Sequence, residues 1–395
     1  MLASLTDVLA VRKSDLVAIR RPPGPEWPGL IAEIWEAGAA VFPVDSRLPD
    51  PEVQRLIRVA RPTAILDADD LVRLDAGIPA ADGIALVVAT SGTSGPPKAA
   101  ELDHDAVRAA VEASAKRLGS TDRDRWLGCL PLAHMGGLLI ALRAVLLGAP
   151  IAIHPRFDPA AFATERDVRF TSLVPTMLTR LLDAGADLSR MRGILVGGGG
   201  LDEDLRARAR EARAPIVATY GLTETCGGVV YDGVPLDGTA VRISPSGEIQ
   251  LRGPTLLRNY RGRARPRITA DGWLRTGDAG ALDANGILLV RGRIDDRIDT
   301  AGERVWPREV EERLRAHPAV ADAAVAGRPD AEWGARVVAY VVATNPGTPP
   351  TLQELRAFVA KRLARHKAPR ELVILDTLPR TASGKIRRGA LGRSE

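Results

Sequence analysis

The sequence predicts an α/β protein: a large N-terminal domain of layered sheets and helices carrying a β-rich subdomain, then a small α+β C-terminal domain. Apolar runs at 149–153, 170–174, 193–197 and 215–219 alternate with helical stretches at 159–165, 175–184 and 202–212. That βαβα rhythm predicts a largely parallel sheet. From 239 to 292 turns come in quick succession (SPSG, RGP, YRG, ADG, DANG) around the short strands GEIQLRG and GILLVRG, which reads as a β-rich subdomain. After the charged stretch 292–305, strands and helices alternate again over about 100 residues, a normal domain size. The boundary is placed at 294, giving domains 1–294 and 295–395.

Residues 28–45 read as a short helix and a strand, and 51–66 repeat the idea with helical PEVQRLIRVA before the strand PTAIL. The run IALVVAT (84–90) is apolar throughout and suits a strand buried on both faces. Helix DAVRAAVEASAKRL (105–118) is expected to follow the Gly-rich loop behind that strand. Toward the C-terminus, Pro307 opens a helix over 307–316. Strands VADAAVAG and RVVAYVVAT follow, separated by the loop NPGTPP from a helix at 351–364 that Thr351 and Glu354 open in capping-box spacing.

At 45% hydrophobic, the 395 residues can bury a sizeable core. The net charge is +5, but the Arg residues are spread along the chain and aromatics are only 4%, so the basic, aromatic-interleaved stripe of a nucleic-acid binder is missing. The two cysteines, Cys129 and Cys226, form no CxxC and no metal-ligand spacing with the five histidines, which suits a reducing compartment. The first fifteen residues place no basic segment before an apolar core, so no secretory signal is expected. The most apolar long stretch, 136–153, carries Arg143 in its middle and is too short to span a bilayer. A cytoplasmic protein with no membrane span is expected, with a homodimer left open.

In VVATSGTSGPPKAA (87–100) an apolar run ends in Ser, Thr and Gly and then Pro-Pro-Lys. A P-loop needs G-x-x-x-x-G-K-[ST]. Here Gly92 and Gly95 are three apart, Lys98 follows two prolines, and no hydroxyl follows it to meet a metal. A Gly/Ser linker is the bland alternative, weakened by the buried-type strand in front and the helix behind.

A series of further motifs follows in order: PLAHMGG (131–137), VGGGGLDEDL (196–205), TYGLTET (219–225), GEIQLRGP (247–254), GWLRTGD (272–278), GRIDDRIDTAGERVWPREVE (292–311) and PRTASGKIRR (379–388). With TSGTSGPPK (90–98) they resemble the adenylate-forming superfamily, which includes acyl-CoA synthetases, carrier-loading adenylation domains and luciferases, over essentially residues 30–390. The resemblance implies that a carboxylate reacts with ATP to give acyl-AMP and pyrophosphate, and that the acyl group then passes to a thiol. Positioning and charge neutralisation would carry most of that chemistry.

The resemblance implies these roles. Thr90, Ser91, Gly92, Thr93, Ser94 and Gly95, with Lys98, form a mobile loop that cradles the outgoing pyrophosphate. Glu224 binds Mg²⁺, a hard cation that wants carboxylate oxygen, and Thr223 bonds the α-phosphate. Tyr220, beside Gly221, stacks on adenine opposite the turn Gly198–Gly199. Asp278 accepts from the ribose hydroxyls and Arg293 reaches the same ribose. Lys385 brings its cation to the forming acyl–phosphate bond. Asp295 is the hinge about which the small, mobile C-terminal domain turns between half-reactions, presenting the loop at Gly302 to the thiol. His134 lies near the acyl site, with a structural role as its alternative.

Departures from the family pattern are Asp299, where Lys is common, Ala99, where Gly is usual, and a start close to the family's second motif (GAAVFPVDSRLP, 38–49), so that much of the usual N-terminal subdomain is expected to be missing. Segments 219–238, 170–182 and 368–380 look similar to short o-succinylbenzoate–CoA ligases of menaquinone biosynthesis, which implies ATP, Mg²⁺ and coenzyme A as cofactors and co-substrate. A dicarboxylate substrate would want a cation in the acyl pocket, for which Arg143 is the candidate, the alternative being that it faces solvent from an amphipathic helix. Another aryl or fatty acid, transfer to a carrier protein or amine, and a catalytically silent nucleotide-binding paralogue remain as other readings. The retained Glu224, Asp278, Arg293 and Lys385 argue against the last.

Overall fold

The computed structural model describes residues 11–68, 70–90, 97–262, 265–380 and 386–391. In chain order the first elements are β1 (Leu16–Arg20), α1 (Trp27–Glu36), β2 (Ala40–Pro43), α2 (Asp50–Ala60), β3 (Ala64–Asp67), β4 (Asp70–Arg73), β5 (Ile84–Thr90), β6 (Lys98–Asp103) and α3 (His104–Leu118). Then come β7 (Arg125–Gly128), α4 (Met135–Leu147), β8 (Ile151–Ile153), α5 (Pro159–Thr164), β9 (Val168–Leu173), α6 (Pro175–Asp183), β10 (Gly193–Val196), α7 (Glu203–Glu211), β11 (Ile216–Leu222), β12 (Gly227–Tyr231) and β13 (Val234–Pro235). The remainder is β14 (Ala240–Ile243), β15 (Glu248–Arg252), β16 (Asn259–Tyr260), β17 (Leu274–Leu282), β18 (Leu288–Arg293), β19 (Ile298–Thr300), β20 (Glu303–Val305), α8 (Pro307–Arg315), β21 (Val320–Asp330), β22 (Gly334–Ala343), α9 (Leu352–Ala360) and β23 (Glu371–Ile374).

The chain divides into two compact units. The first comprises 1–201, 205–241 and 251–274, and the second 202–204, 242–250 and 275–395. The first unit holds two seven-stranded sheets, ordered β16-β6-β5-β2-β1-β3-β4 and β13-β12-β11-β10-β9-β7-β8. Each has a parallel centre, β5-β2-β1-β3 in the first and β8-β7-β9-β10-β11 in the second; antiparallel pairs close both edges of the first sheet and the β12-β13 edge of the second. Alternation along β1 shows why it is central: Val17 and Ile19 join a core with Trp27, Ile31 and Leu138, while Leu16 and Ala18 join another with Val53 and Ala60. Helix α4, apolar nearly all round, is buried as that composition requires.

The Gly-rich loop does not lead straight into a helix, as the sequence suggested. Strand β6 intervenes and pairs antiparallel with β5, Thr90 opposite Lys98. A strand–loop–strand hairpin is not the strand–loop–helix of a P-loop, and α3 begins only after Asp103 caps it by accepting from Ala106 N at 2.7 Å.

The second unit contains most of a sheet ordered β14-β15-β17-β18, the hairpin β19-β20 and the sheet β21-β22-β23. Val310 and Leu314 of α8 and Leu355 and Val359 of α9 pack on Ala323, Val325 and Ala339. The capping box of α9 is formed: Thr351 N donates to Glu354 Oε2 at 2.7 Å and Glu354 N to Thr351 Oγ1 at 3.2 Å.

Candidate active site

Strands β7, β9, β10 and β11 run parallel, so the segments after them gather at one edge of the second sheet. Pro131–Gly137 follows β7, Gly197–Gly199 follows β10, and Tyr220–Thr225 closes β11. The carboxyl ends of parallel strands are where α/β proteins bind ligands. Close approach dictates the glycines. A Cβ on Gly137 would lie 2.5 Å from the Pro131 carbonyl, and one on Gly221 1.9 Å from that of Gly227. Gly198 has φ +74°.

His134 is the N-cap of α4, its carbonyl accepting from Leu138 N at 2.9 Å. Its charge acts on Asp45. Burial pushes that carboxyl up, yet the hydrogen bonds and charge of Arg47, with the charge of His134, hold it below its ordinary value.

A bulge at Tyr220/Gly221 turns the chain into a 3₁₀ turn, Thr223–Thr225. Thr225 locks the turn, receiving Leu222 N at 2.8 Å and donating to Gly227 O at 2.8 Å. The Glu224 carbonyl accepts from Leu257 N at 2.8 Å and its Oε1 from the Tyr260 hydroxyl at 2.6 Å. Burial first, then the adjacent Glu224 charge and hydrogen bond, pushes the Tyr260 phenol far above its ordinary range, so it remains a donor. Lys98 Nζ stands 5.1 Å from the Tyr260 ring centroid. Sequence reasoning missed Tyr260, whose only signal is an aromatic in the charged turn RNYRG. Thr90 and Lys98 bracket the loop, while Ser91, Gly92, Thr93, Ser94 and Gly95 lie outside the described residues.

Among the described residues no cluster of three or more His, Cys, Asp or Glu is arranged to hold a metal. One anchored carboxylate whose second oxygen meets no hydrogen-bond donor among the described residues fits Mg²⁺, which binds through one or two carboxylates plus phosphate oxygens and water.

In the second unit Asp278 and Arg293 sit opposite each other on β17 and β18. Arg293 Nη1 donates to Asp278 Oδ1 at 3.2 Å and to Thr276 O at 2.9 Å. Gly277 makes room: a Cβ there would be 2.6 Å from Arg293 Nη2. Buried Glu248 fixes the same strand, accepting from Arg275 Nε at 2.8 Å and Gly277 N at 2.9 Å. Asp295 is exposed on the turn Ile294–Asp296, and Asp299 pairs with Arg297 at 2.9 Å. Gly302, φ +79°, forms with Ala301 the two-residue turn between β19 and β20. Lys385 lies outside the described residues. Just beyond it Arg388, to which the sequence reading gave no role, binds buried Glu311, Asp296 at 3.0 Å and Val325 O at 3.2 Å.

Arg143 corrects both expectations made for it. It is 1% exposed, so it does not face solvent, and it presents no open face to a substrate carboxylate. Nη1 donates to Leu139 O at 2.9 Å and Nη2 to Ser114 Oγ at 2.6 Å, with the guanidinium 4.0 Å above Trp126. Ser114 in turn bonds the Tyr231 hydroxyl at 2.8 Å. The cation lies inside the packing of α3, α4 and β12. Cys129 and Cys226 are free and buried, and burial raises the Cys129 thiol to about 12. No helix among the described residues is long and apolar enough to cross a membrane.

Family models for the AMP-binding enzyme and for the AMP-binding enzyme C-terminal domain match residues 69–261 and 309–385. A protein of Mycobacterium tuberculosis (strain H37Rv) named "Probable 2-succinylbenzoate--CoA ligase" is 42% identical over 79% of this chain and 85% of its own. The o-succinylbenzoate CoA synthetase of Bacillus subtilis, solved with the acyl-adenylate intermediate OSB-AMP, superposes with a TM-score of 0.89 at 30% identity, over 100% of this chain and 91% of its own. The same enzyme solved with ATP and magnesium superposes at 0.88 and 29% identity, over 99% and 92%.

Proposed function

Since the chain belongs to the AMP-binding enzyme family, and within it to the 2-succinylbenzoate–CoA ligases, we propose that it is an AMP-forming acid–thiol ligase acting on o-succinylbenzoate in menaquinone biosynthesis. The carboxylate attacks the α-phosphate of ATP, giving acyl-AMP and pyrophosphate. The thiol of coenzyme A then attacks the acyl carbon, releasing AMP. The observation that carries this reading is the gathering of 131–137, 197–199 and 220–225 at the carboxyl ends of parallel strands, with one Glu224 oxygen that meets no hydrogen-bond donor among the described residues.

In this reading Tyr220, Gly221, Gly198 and Gly199 hold adenine, and Thr223 holds the α-phosphate. Mg²⁺, which supplies charge neutralisation across the phosphates, is held by Glu224. Asp278 takes the ribose hydroxyls, with Arg293 fixing its carboxylate. Thr90, Lys98 and the intervening loop receive pyrophosphate, and Lys385 steadies the charge that develops as the anhydride forms. His134 borders the acyl group. Turning at Asp295, between domains 1–294 and 295–395, then brings the Gly302 turn to the thiol. The two buried free cysteines support a cytoplasmic setting, and a homodimer belongs to the same proposal.

The enclosed position of Arg143 favours keeping a second reading, a different aryl or fatty acid, because the cation expected to select a dicarboxylate is buried, with Nη1 and Nη2 held by Leu139 O and Ser114 Oγ. Mass spectrometry of the products formed with ATP, Mg²⁺, coenzyme A and o-succinylbenzoate, beside a panel of aryl and fatty acids, tests both. o-Succinylbenzoyl-CoA formed with the highest kcat/KM is expected. Thioester from another acid alone, or acyl-AMP without thioester, would move the enzyme to a different substrate or acceptor.

A further inference from the structure

We propose that Tyr260 is the positioning residue of the magnesium site: it fixes which oxygen of Glu224 faces the metal and couples that carboxylate to Lys98. The proposal rests on the reading of Glu224 as the metal ligand.

The tyrosine is itself rigid. It is 6% exposed and pairs with Ala100 across β16 and β6. The next residue, Arg261, clamps the segment: its N donates to Ala99 O at 2.9 Å, and its guanidinium binds Ala60 O at 2.6 Å and Glu101 at 3.0 Å. From this anchored strand the phenol reaches Glu224 Oε1 at 2.6 Å, the length of a charge-assisted O–H···O⁻ bond.

A carboxylate on a free side chain rotates and offers either oxygen. Here the Tyr260 bond holds Oε1 and fixes the orientation of the group, so Oε2, which meets no donor among the described residues, is the oxygen offered to a cation. The other face of the device is the ring, over which Lys98 Nζ stands at 5.1 Å. One side chain thus touches both the carboxylate that meets Mg²⁺ and the lysine at the end of the phosphate loop. Outer-shell partners of this kind hold ligand orientation, and their loss costs about 10–100-fold in metal affinity.

The hydroxyl and the ring separate experimentally. Tyr260→Phe removes one oxygen and keeps the aromatic face, whereas Tyr260→Leu removes both. Mn²⁺ binding is titrated by electron paramagnetic resonance on the full-length protein with a non-hydrolysable ATP analogue, and urea unfolding checks that each variant is folded. The expected result is a roughly 10-fold weaker Mn²⁺ Kd in Tyr260→Phe, with pyrophosphate affinity unchanged. Tyr260→Leu is expected to weaken both. Glu224→Gln is the reference. If it weakens Mn²⁺ and Tyr260→Phe binds like wild type, the Tyr260 role is overturned and Glu224 stands. If Glu224→Gln also binds like wild type, the metal assignment itself fails and takes the Tyr260 role with it.

Discussion

Arg293 and Asp278 face each other across β17 and β18 and are joined by a 3.2 Å ion pair, with Gly277 leaving room for the guanidinium. The arginine supports the acid that the family resemblance assigns to ribose. Asp278→Asn and Arg293→Gln are each expected to weaken ATP binding roughly 10-fold or more, with the double variant much less than the product of the two, since both changes disturb one unit. Calorimetric titration of ATP into the four proteins measures this. Fully multiplicative losses would show two independent contacts.

Lys385→Ala should nearly abolish acyl-AMP formation, read as pyrophosphate exchange, and spare thioester formation from acyl-AMP supplied ready-made. In the proposed mechanism the cation acts where charge develops on the anhydride, not where the thiol attacks. Equal loss in both half-reactions would remove Lys385 from the first step.

Arg143→Leu deletes a buried cation and leaves Ser114 Oγ and Leu139 O without its donors, while the Ser114–Tyr231 bond is kept. A destabilisation of about 2–3 kcal/mol is expected, visible as a lower urea midpoint. The ratio of KM for o-succinylbenzoate to KM for benzoate should stay as in wild type, because the guanidinium does not reach substrate. A selective rise for the dicarboxylate would return Arg143 to the acyl pocket.

Asp124 lies buried against Arg192, Nη1 at 2.6 and 2.7 Å from its two oxygens, and accepts Thr121 N at 2.9 Å. Burial alone would raise its pKa, but the Thr121 bonds and Arg192 bring it below the ordinary value. A depressed folded-state pKa contributes stability above the unfolded value, about 3.9, and loses it as pH falls through the folded one. Asp124→Asn should therefore cost about 1–2 kcal/mol at neutral pH, and the gap to wild type should close as pH drops below about 4. A gap independent of pH would mean that shape, not charge, holds the loop.

The sequence by itself determined whatever is local in the chain. Pro307 and the Thr351–Glu354 pair start helices through their own backbone chemistry, and those helices are present. Apolar runs alternating with helical stretches gave the parallel strands β9, β10 and β11, and the motif order gave the family. Gly221, read as part of a motif, turns out to be demanded by a 1.9 Å approach to the Gly227 carbonyl. Tertiary structure decided what depends on distant partners. Strand β1, missed in the sequence, is central because β2 and β3 flank it. The short segment KAAELD shows no clear period, and it is a strand because β5 and β16 pair with its two edges. Arg143 reads as an acyl-pocket cation or a surface charge until Ser114, Trp126 and Tyr231 close around it. Tyr260 meets Glu224 across 36 residues of chain. Backbone propensity acts over a few neighbours, whereas pairing register, burial of a charge and the meeting of two side chains are set by which segments fold against each other, and those meetings position the candidate active site.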